Sequence, residues 1–510
     1  MAEKISIQVF RFNPQVDKEG RLEKYSLEKE EGMRILGALK ALNNQGHNIA
    51  FRYSCEEWEC GSCAIRANGT PVLACKTEVM DGMVLEPLPD LPVKRDLIVD
   101  RSKNFKKQAE LYMLPTIKSG AELTYEAQEQ MWKSIVCMEC DVCLASCPIL
   151  HTRGGSYKYS GPEFMVQLFR SEMDTRIDKK SLEISVKEGI WECTTCNHCV
   201  QNCPQRIKIK DLIVDLRRFI IERQSTQVPA TIRDLNKNLS KHHNPYGKPK
   251  TKRIEWAEGI ALRLVKEMKG SEWLWIVGCE QCFNTRDQVV ARSMVEVFDK
   301  AKVEFVVLGN EEVNVGDPAF MTGEIGLFEE LVEINLSIFK KYGIKKIITT
   351  SPHDFNILKN EYPKYGGNFE VIHYTQLLEN LIRDKKLNFT RNLTKTVTFH
   401  DPCFLGRYNS VYDSPRNVLQ AIPGIKLVEM PSNRDQAECC GGGGGGNWLD
   451  IPAGERLADR RVRQAVQTGS DILVVACPFC LAMFEDAVKT QGYEGKLEVK
   501  QLIELVSEAV

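Results

Sequence analysis

Cys137-Met138-Glu139-Cys140-Asp141-Val142-Cys143-Leu144-Ala145-Ser146-Cys147-Pro148 and Cys193-Thr194-Thr195-Cys196-Asn197-His198-Cys199-Val200-Gln201-Asn202-Cys203-Pro204 are one pattern written twice, C-x2-C-x2-C-x3-C-P. This is the spacing of a two-cluster 4Fe–4S domain, in which each fourth cysteine ligates the other cluster. One cluster would take Cys137, Cys140, Cys143 and Cys203, and the other Cys193, Cys196, Cys199 and Cys147. Zinc or buried free thiols are the competing reading, but two full copies are improbable by chance. The surrounding sequence, from about Lys118 to Arg223, reads as helical.

Working towards the N-terminus, Cys55, Cys60, Cys63 and Cys75 are spaced C-x4-C-x2-C-x11-C. A C-x4-C-x2-C opening with a fourth cysteine further on is the plant-type 2Fe–2S spacing. Gly61 and the small Ser62 let backbone amides approach the sulfurs. Zinc is the competing metal, but zinc sites favour paired C-x2-C knuckles. The first hundred or so residues read as a small β-rich unit. Ile5, Ile7 and Phe10 start a strand, Met33 to Leu42 form a short amphipathic helix, and Asn68-Gly69-Thr70-Pro71 marks a turn.

Working towards the C-terminus, Pro229, His242-His243-Asn244-Pro245 and Gly247-Lys248-Pro249 mark a linker that wraps its neighbours. Beyond it the sequence repeats. A strand from Trp273 to Val277 leads to Cys279, and one from Val397 to Phe399 leads to Cys403. A helix from Leu327 to Tyr342 stops at Gly343, and a strand from Lys346 to Thr350 runs into Ser351-Pro352-His353-Asp354. In the second copy a helical stretch from Gly454 to Thr468 stops at Gly469, and the strand Ile472 to Ala476 runs into Cys477-Pro478-Phe479-Cys480. Glycine after a helix is the expected left-handed stop. Alternating strands and helices imply parallel α/β sheets with ligands beyond the carboxyl ends of the strands.

Those ends hold a third sulfur set, Cys403, Cys439, Cys440-Gly441, Cys477 and Cys480. Five thiols exceed what one zinc or one cubane needs. The glycines Gly441 to Gly446 permit close backbone approach to a bulky ligand, where side chains would block it; a floppy loop is the bland alternative. His400, before Cys403, is a candidate to move a proton during thiol chemistry or a structural histidine at a strand end. In the first copy the equivalents of the later thiols are Asn314, Val315, Ser351 and Asp354. That copy is therefore expected to carry no cluster. Its Cys279 and Cys282 read as leftover core thiols or, less simply, a zinc pair.

Composition agrees with a globular multidomain chain. There are 510 residues, 43% hydrophobic and 27% charged, enough for three or four domains at roughly 100–200 residues each. Lys+Arg 68 against Asp+Glu 69 leaves a net charge of −1, without the broad basic field of sequence-blind nucleic-acid binding. The longest nearly uncharged apolar run, Ile472 to Phe484, is shorter than the ~18 residues that suggest a membrane span. The start, Met1-Ala2-Glu3-Lys4-Ile5-Ser6-Ile7, has no apolar signal region, so the expected setting is the cytoplasm or the cytoplasmic side of a larger complex. Nineteen clustered cysteines there mean metal or redox chemistry rather than disulfides.

Taken together these motifs carry a family resemblance. Residues 1 to about 225 resemble the iron–sulfur subunits of succinate dehydrogenase and fumarate reductase. The resemblance rests on Ser54-Cys55 through Cys60-Gly61-Ser62-Cys63-Ala64, Leu73-Ala74-Cys75, Ser160-Gly161-Pro162 and both C-P runs. From Asn244-Pro245-Tyr246-Gly247 to the end the chain resembles the CCG-domain subunits of heterodisulfide reductase. The fusion of both halves is similar to the iron–sulfur subunits of methanogen thiol:fumarate reductases.

The resemblance implies a multidomain α+β and α/β chain. It would have a β-grasp 2Fe–2S domain (1–108), a helical dicluster domain (109–226), a linker (227–270), a degenerate CCG domain (271–388) and a CCG domain (389–510). It also implies that Cys403, Cys439, Cys440, Cys477 and Cys480 hold a noncubane 4Fe–4S cluster. The activity implied is oxidation of coenzyme M and coenzyme B thiols to their mixed disulfide. Electrons would pass through one 2Fe–2S and two cubane 4Fe–4S clusters to FAD on a separate fumarate-reducing subunit. A dinucleotide fingerprint is missing from this chain, as that arrangement requires.

Departures from the parent families are specific. Cys196 fills a slot that lacks its cysteine in most succinate dehydrogenase subunits, so a full 4Fe–4S cluster is expected in place of their 3Fe–4S centre. Ile149-Leu150-His151 replaces the tryptophan pair expected after the first C-P. Both changes argue against a quinone site, in line with the lack of a membrane span expected from the sequence. Arg407 and Arg434 are candidate receivers of the sulfonate and phosphate of the two coenzymes, with ordinary surface arginines the commoner alternative, and His353 of the degenerate copy is a candidate pocket wall. The alternatives are a soluble succinate dehydrogenase or fumarate reductase subunit using another carrier, and a zinc-stabilised scaffold.

Overall fold

The computed structural model describes residues 3–111, 120–152, 157–177, 180–266, 273–454 and 456–510. Lys118, where the sequence places the start of the helical region, and the 270/271 boundary lie outside them. The chain forms two compact units. The first holds Met1–His151, Lys158–Ile190 and Asn197–Leu216; the second holds Thr152–Tyr157, Trp191–Cys196 and Arg217–Val510.

The first unit opens with β1 (Glu3–Arg11) and β2 (Arg21–Lys29), an antiparallel pair. Ile5, Ile7 and Val9 alternate inwards, and Phe10 is only partly buried. β3 (Ala64–Ala67), β4 (Thr70–Leu73) and β5 (Val84–Glu86) complete a five-stranded sheet in the order β2-β1-β5-β3-β4, and β6 (Val93–Arg95) pairs with β7 (Ile98–Val99). The helix Ile35–Asn44 buries Ile35, Leu36, Leu39 and Leu42, a helical stripe that covers the sheet. The expected turn at Asn68-Gly69 joins β3 to β4, while Thr70 and Pro71 lie in β4 itself. Short helices, Val142–Ala145 and His198–Gln201, and longer ones such as Pro162–Met173, make the rest of this unit helical.

The second unit contains two parallel four-stranded sheets of the same design. β8 (Trp273–Ile276), β9 (Phe305–Val306), β10 (Lys346–Thr349) and β11 (Glu370–His373) stand in the order β11-β10-β8-β9. β12 (Lys395–Phe399), β13 (Ile425–Leu427), β14 (Ile472–Val475) and β15 (Glu498–Gln501) stand in the order β13-β12-β14-β15, the same arrangement reversed in reading direction. The helices Ile325–Tyr342 and Leu457–Gln467 precede β10 and β14, and Gly343 and Gly469 stop them at φ +65° and +70°. Gly454, expected inside the second helix, lies before it. The segment read as a linker carries the helix Ala230–His242 with Ile232, Leu235 and Leu239 buried, and Trp256 packs edge-on against Trp275. No helix among the described residues is long and apolar enough to cross a membrane.

Candidate functional site

In the second unit, β12 and β14 each end in sulfur. Beyond β12 the chain passes His400 and Asp401 to Cys403. Asp401 takes a bidentate bond from Arg416 (2.7 and 2.9 Å) and the backbone N–H of Arg434 (2.8 Å), which fixes the turn. Beyond β14, Cys477 stands at the N-cap of the helix Pro478–Thr490, whose first turn carries Cys480. Cys439 and Cys440 complete the set, and all five thiols are buried. Cys440 and Cys480 sulfurs lie 3.3 Å apart. Hydrogen bonds from Cys439 and Cys480 hold the Cys440 thiol well below its ordinary value. Burial pushes Cys477 up, but the hydrogen bonds of Cys480 and His353 outweigh it and bring it down to about 5.

The surroundings fit an iron–sulfur cluster. Backbone N–H groups of Gly441 and Gly442 point at the Cys439 and Cys440 sulfurs (3.3 and 3.5 Å), the donors that clustered thiolates need. Gly441 has φ +96°, and a Cβ on Gly442 would press to 3.1 Å from Phe479. His400 is 1% exposed, and its ligand nitrogen, Cys440 and Cys480 lie within 4.8 Å of one another. Arg461 Nε donates to His400 Nδ1 (3.3 Å), so the neutral ring carries its proton on Nε2. Burial and then Arg461 hold His400 well below its ordinary value, uncharged.

The first copy is built alike and filled differently. Arg253 Nη2 donates to Cys279 Sγ (3.2 Å), and Nη1 reaches Cys282 Sγ (3.6 Å) and Glu312 Oε1 (2.7 Å). Glu312 also takes the backbone N–H of Val277 and of Gly278, both at 3.0 Å. Asn314 Nδ2 points at Cys279 Sγ (3.4 Å). A guanidinium thus sits against the cysteine pair. Sequence reading missed Arg253 because it lies in the apparent linker. His353 of this copy faces the other: its Nδ1 meets Asp317 (2.9 Å), and its ring stacks on Phe404 at 3.9 Å and tilts over Phe479 at 4.5 Å.

A cavity of about 390 Å³ reaches this site, lined by Tyr157, Thr194, Gly441, Trp448, Arg456 and Met483 among others. Thr194 Oγ1 lies 3.4 Å from Cys439 Sγ. Arg456 is bound to Asp459 and Asp486. The two arginines expected to receive anions do other work. Arg407 holds backbone carbonyls of Cys196, Asp435 and Ala437, and Arg434 pairs with Asp413 at the surface.

In the first unit, Cys63 and Cys75 sulfurs are 3.2 Å apart, and Cys55 Sγ accepts N–H groups from Glu57, Glu59 and Cys60. Burial pushes Cys137 and Cys140 up to about 12, with Cys203 among the neighbours that add to it. The first run and the last cysteine of the second are therefore close. Cys143 is buried beside Cys140 and Cys137. Cys147 and Cys199 belong to this unit, Cys193 and Cys196 to the other.

Comparison with known proteins agrees in order and extent. Residues 6–106 match a 2Fe-2S iron-sulfur cluster binding domain, 133–207 a 4Fe-4S dicluster domain, and 273–359 and 397–485 a cysteine-rich domain. A subunit of the fumarate reductase (CoM/CoB) of Methanothermobacter marburgensis is 32% identical over 508 residues, 99% of each chain. The chain belongs to its family. A subunit of the dihydromethanophenazine:CoB–CoM heterodisulfide reductase of Methanosarcina barkeri is 30% identical over 405 residues, 75% of this chain and 95% of its own. A probable iron-sulfur-binding oxidoreductase, FadF of Bacillus subtilis, is 38% identical over 335 residues, 64% of this chain. The chain spans 47% of that relative's length. This is an oxidoreductase subunit with 2Fe–2S, 4Fe–4S and paired cysteine-rich domains.

Proposed function

We propose that this chain is the thiol-oxidising, electron-transferring subunit of a thiol:fumarate reductase. The observation that carries the proposal is the convergence of five buried thiols, with backbone N–H groups aimed at two of them, beside a cavity lined by Gly441 and Thr194. Cys403, Cys439, Cys440, Cys477 and Cys480 would hold a noncubane 4Fe–4S cluster. Cys55, Cys60, Cys63 and Cys75 would hold the 2Fe–2S cluster, and the two C-P runs two cubanes with the crossed ligand sets given above. The domain boundaries and the cytoplasmic setting expected from the sequence are part of the same reading.

Bound clusters supply one-electron transfer. The chain's own residues do the rest. Two thiols would become one disulfide, two protons and two electrons, and FAD on a partner subunit would supply the chemistry by which those electrons, with two protons, convert fumarate to succinate. Trp448 and Met483 give the cavity an apolar wall. His400 keeps a proton on Nε2 beside Cys440 and Cys480, and His353 presents a donor to Cys477. Coenzyme M and coenzyme B are the proposed thiols, on the strength of the nearly full-length relative.

Anaerobic EPR of the purified protein with and without coenzyme M plus coenzyme B tests this. A thiol-dependent signal lost in Cys477→Ser is expected. A signal indifferent to both thiols, or kept in Cys477→Ser, contradicts the assignment.

A further inference from the structure

The glycine run does more than line the sulfur site. A Cβ on Gly443 would lie 2.6 Å from the carbonyl of Thr194, and one on Gly444 2.5 Å from that of Cys193. Backbone meets backbone here, and only glycine allows it. Arg217, fully buried, donates to the carbonyls of both Cys193 (2.7 Å) and Gly444 (2.9 Å). Tyr408 Oη donates to the Thr195 carbonyl (2.6 Å).

Arg407 completes the clasp. Its Nε donates to the Cys196 carbonyl (2.7 Å), and its Nη1 to those of Asp435 (3.1 Å) and Ala437 (2.6 Å). Arg407 follows Cys403 by four residues, and Ala437 precedes Cys439 by two. The side chain is 7% exposed, and Nη2 has no hydrogen-bond partner among the described residues. Cys196, Cys403 and Cys439 are the sulfur groups whose charge acts on this guanidinium.

We propose that Arg407 is a positioning residue shared by two cluster sites: it fixes the Cys193–Cys196 segment on the loop that carries Cys403 and Cys439, and its permanent charge raises the reduction potential of the iron held at each. This rests on the ligand assignments proposed above. Reduction adds negative charge to a cluster, and a fixed cation in a dry setting favours the reduced form. One guanidinium beside both sites lifts both potentials together. A common lift leaves the difference between the two potentials as it was, so it makes both sites easier to reduce without favouring either.

Redox titration followed by EPR tests this on the intact cluster-loaded protein, with Arg407→Gln, Arg407→Lys and Tyr408→Phe beside the wild type. Arg407→Gln should move the potentials of the C-terminal cluster and of the Cys193–Cys196 cluster to more negative values. Arg407→Lys should restore both towards the wild type, and Tyr408→Phe should leave both unmoved. The proposal fails if Arg407→Gln shifts neither potential or if Arg407→Lys shifts them as far. It also fails if both Arg407 variants lose iron alike, because Arg407 would then be a packing residue. A wild type without these signals would instead overturn the ligand assignments.

Discussion

The two cysteine-rich repeats share a backbone and differ in what their loops hold. Gly316 and Gly441 adopt the same left-handed turn, φ +100° and +96°. Before Gly316, Asn314 Oδ1 accepts its backbone N–H at 2.8 Å; before Gly441, Cys439 Sγ does so at 3.3 Å. Ser351 Oγ caps the helix Pro352–Asn360, and Cys477 occupies the same N-cap position of Pro478–Thr490 without a side-chain capping bond. Oxygen thus replaces sulfur without disturbing the local fold. The repeat does not need metal to close; an amide, a hydroxyl and the Arg253–Glu312 pair satisfy the same loops. A cation of the protein's own stands against Cys279 in one copy, while the other copy gathers five thiols.

That contrast can be broken at Arg253. Arg253→Ala leaves the Glu312 charge buried without its cation, held only by two backbone N–H groups, and breaking such an ion pair costs about 3–5 kcal/mol. Both side chains are 3% exposed or less. Thermal unfolding should show the loss, with iron content unchanged in the material that remains folded. A smaller effect should follow Ser351→Ala, which removes a cap and costs about 1 kcal/mol. It would also leave iron content as it was, marking Ser351 as a structural heir of a cysteine position.

Most of the framework was legible because its rules are local. Each C-P run is written within a dozen residues, and the glycine stops at Gly343 and Gly469 announce the strands that follow. The repeat pointed to the parallel sheets, since one strand-helix unit cannot cover its own apolar face. What stayed hidden depends on distant partners. Arg253 meets Cys279 across 26 positions from a segment rich in turn residues, and Thr194 meets Cys439 across 245. Nothing in the local sequence of either announces the contact. The glycine run was legible as a close approach, but its partner, at Gly443 and Gly444, is the Cys193–Thr194 backbone.

The most direct measurement is iron and acid-labile sulfide per chain in anaerobically purified wild type, Cys439→Ser/Cys440→Ser and Cys279→Ser/Cys282→Ser. The first double variant should lack the content of one four-iron cluster, and the second should match the wild type. Equal losses in both, or a wild type carrying zinc and no sulfide, would contradict the division of labour between the repeats.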